Sequence, residues 1–178
     1  MTRQARRLLC PLALLVWLGT AVAAPPPLLV VSVDGLMADH IDALDSLKLK
    51  VPHLRRLLRE GAHARVRGVL PTLTYPSHVT LMTGCSPARH GVLSNWPLDP
   101  TGQNRNGWYW YAVDIRAPTL WDVAKRAGLR TAAVDWPVTV GARIDLLIPQ
   151  IWRAGTDDDS KLLQALATPG LLPELEAQ

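Results

Sequence analysis

The chain has 178 residues, with 19 Lys plus Arg against 15 Asp plus Glu and two cysteines. That length suits one domain with an apolar core and leaves no room for several. The formal charge of +4 comes largely from the first residues: positions 1–23 hold three arginines and no acid. The remainder carries 16 basic and 15 acidic residues, a balance of +1, which is no nucleic-acid-binding signal.

Residues 1–23 read as a signal peptide. Arg3, Arg6 and Arg7 form a positive start, the run from Leu8 to Gly19 is mostly apolar, and Ala21-Val22-Ala23 is a small-residue cleavage signal. The apolar run is short for a membrane span, which needs about 20 residues, so no stable span is expected. Cleavage after Ala23 removes Cys10 and leaves Cys85 alone, so residues 24–178 form no internal disulfide. The protein is expected to be exported, either periplasmic or secreted.

Pro25-Pro26-Pro27 reads as a stiff, extended tether. The continuous apolar run Leu28 to Val33 predicts a strand covered on both faces, ended by Asp34-Gly35. Pro52 to Glu60 predicts a helix, with proline in its first turn, a stripe of Leu54, Leu57 and Leu58, and Gly61 as its cap. Ala64 to Leu70 alternates as a second strand. Tyr75 to Thr83 predicts a helix stopped by Gly84, and Thr119 caps another from Leu120 to Ala127, stopped by Gly128. Arg130 to Asp135 predicts a third strand closed by Trp136-Pro137, and Lys161 to Ala177 is helix-like but broken by Pro169-Gly170 and Pro173. Strands alternating with helices predict an α/β sheet with crossovers.

The candidate chemistry lies between Asp34 and Asn95. Ligands gather beyond the carboxyl ends of parallel strands, where Asp34 is expected to offer a hard oxygen to a divalent ion; an Asx turn ending the strand explains it as well. Thr74 opens a helix, whose free N–H groups favour a phosphate. Its hydroxyl is either a nucleophile activated by a metal or a routine cap before Pro76. Asn95 is an amide donor for charge developing on phosphoryl oxygens, or a turn residue before Trp96-Pro97. His78 and His90 read as structural, and His40, His53 and His63 as surface residues. The run Trp108-Tyr109-Trp110-Tyr111 forms either an aromatic wall for a nucleobase or aryl group, or ordinary packing. Asp135 lies at another strand end. Asp157-Asp158-Asp159 reads as a solvated helix start rather than a metal site.

Several blocks occur together and in order: Val31-Ser32-Val33-Asp34-Gly35, Pro71-Thr72-Leu73-Thr74-Tyr75-Pro76-Ser77-His78, Thr83-Gly84 with Pro87, His90-Gly91, and Asn95. These resemble the nucleotide pyrophosphatase/phosphodiesterase branch of the alkaline phosphatase superfamily, and residues 117–136 are similar to that family's next helix–strand unit. The resemblance implies an α/β, alkaline-phosphatase-like sandwich, with a mostly parallel sheet between helices. It implies hydrolysis of phosphate esters at a site of two zinc ions, acting on a small phosphate ester or nucleotide. Asp34 would match a metal ligand, and Asn95 the phosphate-binding amide. Thr74 would match the nucleophile, which also contacts zinc and forms a phosphothreonine. The run Cys85-Ser86-Pro87-Ala88-Arg89 imitates the sulfatase signature. It follows Thr83-Gly84 instead of preceding it, so Cys85 reads as a small, partly buried residue.

The family's later aspartates and three histidines find no match, because no histidine follows His90. Residues 24–178 are therefore expected to be the N-terminal part of the catalytic domain, incomplete at the C-terminus. Two readings stand: a metal-dependent phosphodiesterase, and a truncated, catalytically inactive relative that at most binds an anion or a partner. On either reading the isolated chain is expected to lack ligands needed for full activity.

Overall fold

The computed structural model describes residues 26–102, 107–152 and 158–177. The expected signal peptide, Pro25 and Asp157 lie outside them. The chain divides into two units, Met1–Val33 and Asp34–Gln178. In the first, residues 26–33 belong to no β-ladder, and Leu28 and Leu29 are 76% and 83% exposed. The strand predicted at Leu28–Val33 is thus not formed among the described residues. An apolar run becomes a strand only when a neighbour takes up its N–H and C=O groups.

The second unit is mixed α/β. Its helices are α1 (Ala38–Asp42), α2 (Pro52–Glu60), α3 (Thr74–Thr83), α4 (Pro87–His90), α5 (Leu120–Arg126), α6 (Asp159–Leu166) and α7 (Leu171–Glu176). The strands β1 (Ala132–Trp136) and β2 (Leu146–Pro149) pair in parallel, with Ala132 opposite Leu146 and Val134 opposite Ile148. No helix among the described residues is long and apolar enough to cross a membrane.

Local chemistry accounts for the helices that sequence predicted. α2 begins at Pro52 and spans the predicted residues. Proline costs nothing there, because the first helical N–H groups have no partner in the helix. α5 has a full capping box. The Thr119 hydroxyl accepts the Asp122 N–H (3.2 Å), and an Asp122 oxygen accepts the Thr119 N–H (2.9 Å). Two orphan donors are satisfied at once. Burial pushes the Asp122 carboxyl up, but the Thr119 hydrogen bonds and nearby Arg126 and Arg143 hold it below its ordinary value.

The predicted strand Ala64 to Leu70 is likewise absent. Val66 and Leu70 are each 84% exposed, while Arg65 pairs with Asp39 and Asp42 of α1. This segment finds an ionic partner in α1 rather than a neighbouring strand. The predicted strand at Arg130–Asp135 is formed but shifted, running from Ala132 to Trp136.

Asp145 ties α5 to the sheet. It receives Lys125 Nζ (2.7 Å) and both the N–H and hydroxyl of Thr131 (2.9 Å each). Those bonds, Lys125 foremost, hold its carboxyl down at about 2. Two apolar clusters form the core. One joins Tyr75 and Val79 of α3 to Val92, Trp110, Val138 and Val140. The other joins Trp121 to Ile144 and Leu147. α3 belongs to the first cluster, and that packing fixes the direction in which its N-terminus points.

Candidate active site

α3 starts one residue earlier than predicted. Leu73 occupies the N-cap with extended backbone and no side-chain cap, and Thr74 is the first helical residue. The Thr74 side chain is therefore not spent on capping. Its Oγ1 donates to Asp34 Oδ2 at 3.4 Å, across 40 residues of sequence. Asp34 precedes Gly35, whose φ of +74° lets the chain turn where a Cβ would be strained.

The second helical N–H, of Tyr75, donates to Asn95 Oδ1 at 3.0 Å. Pro76 has no N–H, and the Ser77 N–H reaches the Leu73 carbonyl at 3.1 Å. Asn95 is thus an N-terminal cap of α3 supplied from 20 residues away. The oxygen of its amide faces the helix, and its NH2 group remains the donor end. The Asn95 carbonyl accepts the Tyr109 N–H at 2.9 Å, anchoring the residue from behind. All three residues singled out from sequence, Asp34, Thr74 and Asn95, are thereby gathered at the start of α3.

The histidines are structural, as their sequence context suggested. His78 Nδ1–H donates to the Thr74 carbonyl (2.7 Å), and its ring meets Trp136 edge-on, centroids 5.1 Å apart. His90 is fully buried. The Val92 N–H donates to its Nδ1 (3.2 Å), so Nε2 carries the proton and donates to Thr80 Oγ1 (3.0 Å). Burial pushes the His90 pKa down, against the raising effect of the Pro76 carbonyl and its own. Cys85 is partly buried, and its thiol donates to the Thr83 carbonyl (3.5 Å).

The aromatic run divides between two roles. Trp108 and Trp110 stack on each other and pack on Tyr75 and Trp152, with centroids 5.1–6.3 Å apart. They are core, beneath the α3 N-terminus. Tyr111 is 52% exposed and its backbone bridges to Val140. Asp135 is the penultimate residue of β1, with φ of +53°. Its carboxylate, after burial, is the second influence raising the Tyr75 hydroxyl. Sequence analysis missed the Asn95–Tyr75 bond, which no local signal marks. Asp158 stands at the N-cap of α6 and pairs with Lys161 at 3.2 Å, as a solvated start should.

Asp34 and Thr74 are hard oxygen donors of the kind a divalent cation takes. They fit the implied zinc in kind but not in number, because a zinc ion takes about three or four protein ligands. Among the described residues, no three His, Cys, Asp or Glu side chains cluster to hold an ion.

Comparison with known proteins agrees with the motif order. The family model described as type I phosphodiesterase / nucleotide pyrophosphatase matches residues 28–169. The chain is 28% identical over 155 residues to the venom phosphodiesterase of Naja atra, covering 79% of this chain and 17% of that protein. It is 32% identical over 123 residues to the venom phosphodiesterase of Macrovipera lebetinus, covering 62% and 13%. It is 28% identical over 137 residues to ectonucleotide pyrophosphatase/phosphodiesterase family member 1 of Homo sapiens, covering 72% and 14%. The chain thus spans between 13% and 17% of the length of these curated relatives. With the matched region running from before Asp34 to beyond β2, the chain belongs to the type I phosphodiesterase / nucleotide pyrophosphatase family.

Proposed function

We propose that this protein hydrolyses phosphate esters of the phosphodiester or nucleotide class, with Thr74 as the nucleophile. The observation that carries this reading is the pair of side-chain contacts at the α3 N-terminus: Asp34 accepts from the Thr74 hydroxyl, and Asn95 accepts from the next N–H. A phosphoryl group there meets the positive end of the helix. Asp34 orients the Thr74 hydroxyl, leaving an Oγ1 lone pair for phosphorus. Attack forms a threonine O–P bond as the hydroxyl proton passes to Asp34, and the P–O bond to the leaving group breaks to release its alcohol or alkoxide; water then attacks the phosphothreonine, breaking its O–P bond, releasing the phosphoryl product and returning a proton to Thr74. The Asn95 NH2 donates to the oxygen on which charge builds, an interaction whose loss typically costs about 10²–10³ in rate.

Asp34 and Thr74 would be the residues of this chain to hold a divalent cation, with zinc expected from the family. Such an ion, when bound, lowers the pKa of a coordinated hydroxyl and neutralises phosphate charge. The surrounding fold is read as the N-terminal part of an alkaline-phosphatase-like sandwich, and the protein as exported behind a signal peptide at residues 1–23. The relatives' own names, phosphodiesterase and nucleotide pyrophosphatase, support the substrate class. The test is mass spectrometry of an acid-quenched reaction with a nucleotide ester. A phosphoryl adduct on the peptide carrying Thr74, absent from Thr74→Ala, is the expected result; an adduct on any other residue would refute the assignment.

A further inference from the structure

The charge balance of +1 over residues 24–178 is unevenly spread. Residues 36–70 hold seven basic and four acidic side chains, a balance of +3, which leaves the rest at −2. Two arginines draw this segment together. Arg55 of α2 pairs with Asp45 and donates through Nη2 to the Leu44 carbonyl at 2.9 Å. Arg65 pairs with Asp39 and Asp42 of α1. Leu44 is buried, but α2 buries none of its residues, and Leu57 is 64% exposed. Leu47, Leu49 and Val66 are exposed as well. Each of these three is followed directly by a cation, Lys48, Lys50 and Arg67 in turn, and Arg59 lies two residues beyond Leu57. Lys48, Lys50, Arg59 and Arg67 are exposed, and none of their side chains forms an ion pair among the described residues.

We propose that this α1–α2 surface docks the protein on the face of a bilayer rich in anionic phospholipid. Exposed apolar side chains beside unpaired cations fit that partner on both counts. The apolar groups enter the boundary between headgroups and acyl chains, and the cations stay at the lipid phosphates. Pairing of this face with a second copy would bring the free cations against like charges, because all four acids of the segment are already paired. A soluble polyanion would meet the cations but leave the apolar side chains in water. With nine residues, α2 lies on the bilayer and does not span it, since a span needs about 20. Docking is therefore peripheral, and salt weakens it. This inference is independent of the reading of Thr74 and Asn95.

Hydrogen–deuterium exchange of the full chain, read peptide by peptide by mass spectrometry, locates the contact and separates it from any lipid binding by residues 1–23. It is measured without lipid, with phosphatidylcholine vesicles, and with vesicles of phosphatidylglycerol mixed equally with phosphatidylcholine. The proposal expects slowed exchange within residues 44–67 on the mixed vesicles alone, unchanged exchange in β1 and β2, and loss of the effect in high salt. The lipid concentration giving half of that protection is expected to rise about tenfold or more in the double variant Lys50→Gln/Arg59→Gln, and about tenfold in Leu57→Ser. All three side chains are exposed, so thermal unfolding of both variants should match the parent. Protection confined to residues 1–23, equal protection on pure phosphatidylcholine, or a half-protection point unmoved in either folded variant would overturn the proposal. Protection of residues 44–67 that needs no vesicles and grows with protein concentration would also overturn it, assigning the face to a second copy.

Discussion

The Asn95 side-chain oxygen accepts the backbone N–H of Tyr75 at 3.0 Å, so an amide 20 residues away in sequence caps α3. The proposed catalytic role draws on the other end of the same amide, its NH2, and substitutions at this position separate the two.

Asn95→Asp keeps an oxygen for the Tyr75 N–H and removes the donor. Its stability is expected to stay within about 0.5 kcal/mol of the parent, while phosphate-ester turnover falls about 10²-fold. Asn95→Ala loses both, with about 1 kcal/mol of destabilisation added to the same loss of rate. Thermal unfolding and initial rates, measured on one set of preparations, check the split.

Gly84 ends α3 with φ of +64°, and its N–H returns to the Thr80 carbonyl at 2.8 Å. A Cβ there meets nothing within 4 Å, so the penalty for Gly84→Ala is conformational rather than steric crowding by neighbours. The expected cost is about 1 kcal/mol, read as a lower denaturant midpoint with an unchanged slope. Gly84 lies at the far end of the helix from Thr74, so ester binding should survive in the folded fraction.

Asp145 sets an acid limb in stability. Its folded carboxyl is held at about 2 by Lys125 and Thr131, below the unfolded value of about 3.9. A depressed folded pKa contributes stability fully above the unfolded pKa, and that contribution is lost as pH falls toward the folded value. Between about pH 4 and pH 2 the parent should therefore lose stability more steeply than Asp145→Asn. Chemical denaturation across that range compares the two slopes; equal slopes would mean that the Lys125–Asp145 contact is not maintained in solution.

The legible parts of the fold were those with local causes. Pro52 at a first turn, the Thr119–Asp122 box and the Gly84 and Gly128 stops each act within a few residues, and the helices they bound formed within one residue of the expected bounds. The runs Leu28–Val33 and Ala64–Leu70 had strand chemistry without a neighbour to pair with, and strand formation is settled by that distant neighbour. β2, four residues long, was too short for periodicity to reveal. At the site, the candidate residue types were legible because acid, hydroxyl and amide stand in motifs. The bond joining Asn95 to Tyr75 was not, since a contact across 20 residues leaves no mark in local pattern. The aromatic run divided between core and surface: Trp108 and Trp110 pack on Tyr75, and Tyr111 is 52% exposed.

The central claim is that the Thr74 hydroxyl attacks phosphorus. Its most direct test is release of p-nitrophenol from bis-p-nitrophenyl phosphate, with enzyme in excess and zinc added, for the parent and Thr74→Ala. Enzyme excess makes even a slow first turnover visible. The account predicts zinc-dependent release by the parent and none by Thr74→Ala. Equal release by both proteins would contradict it.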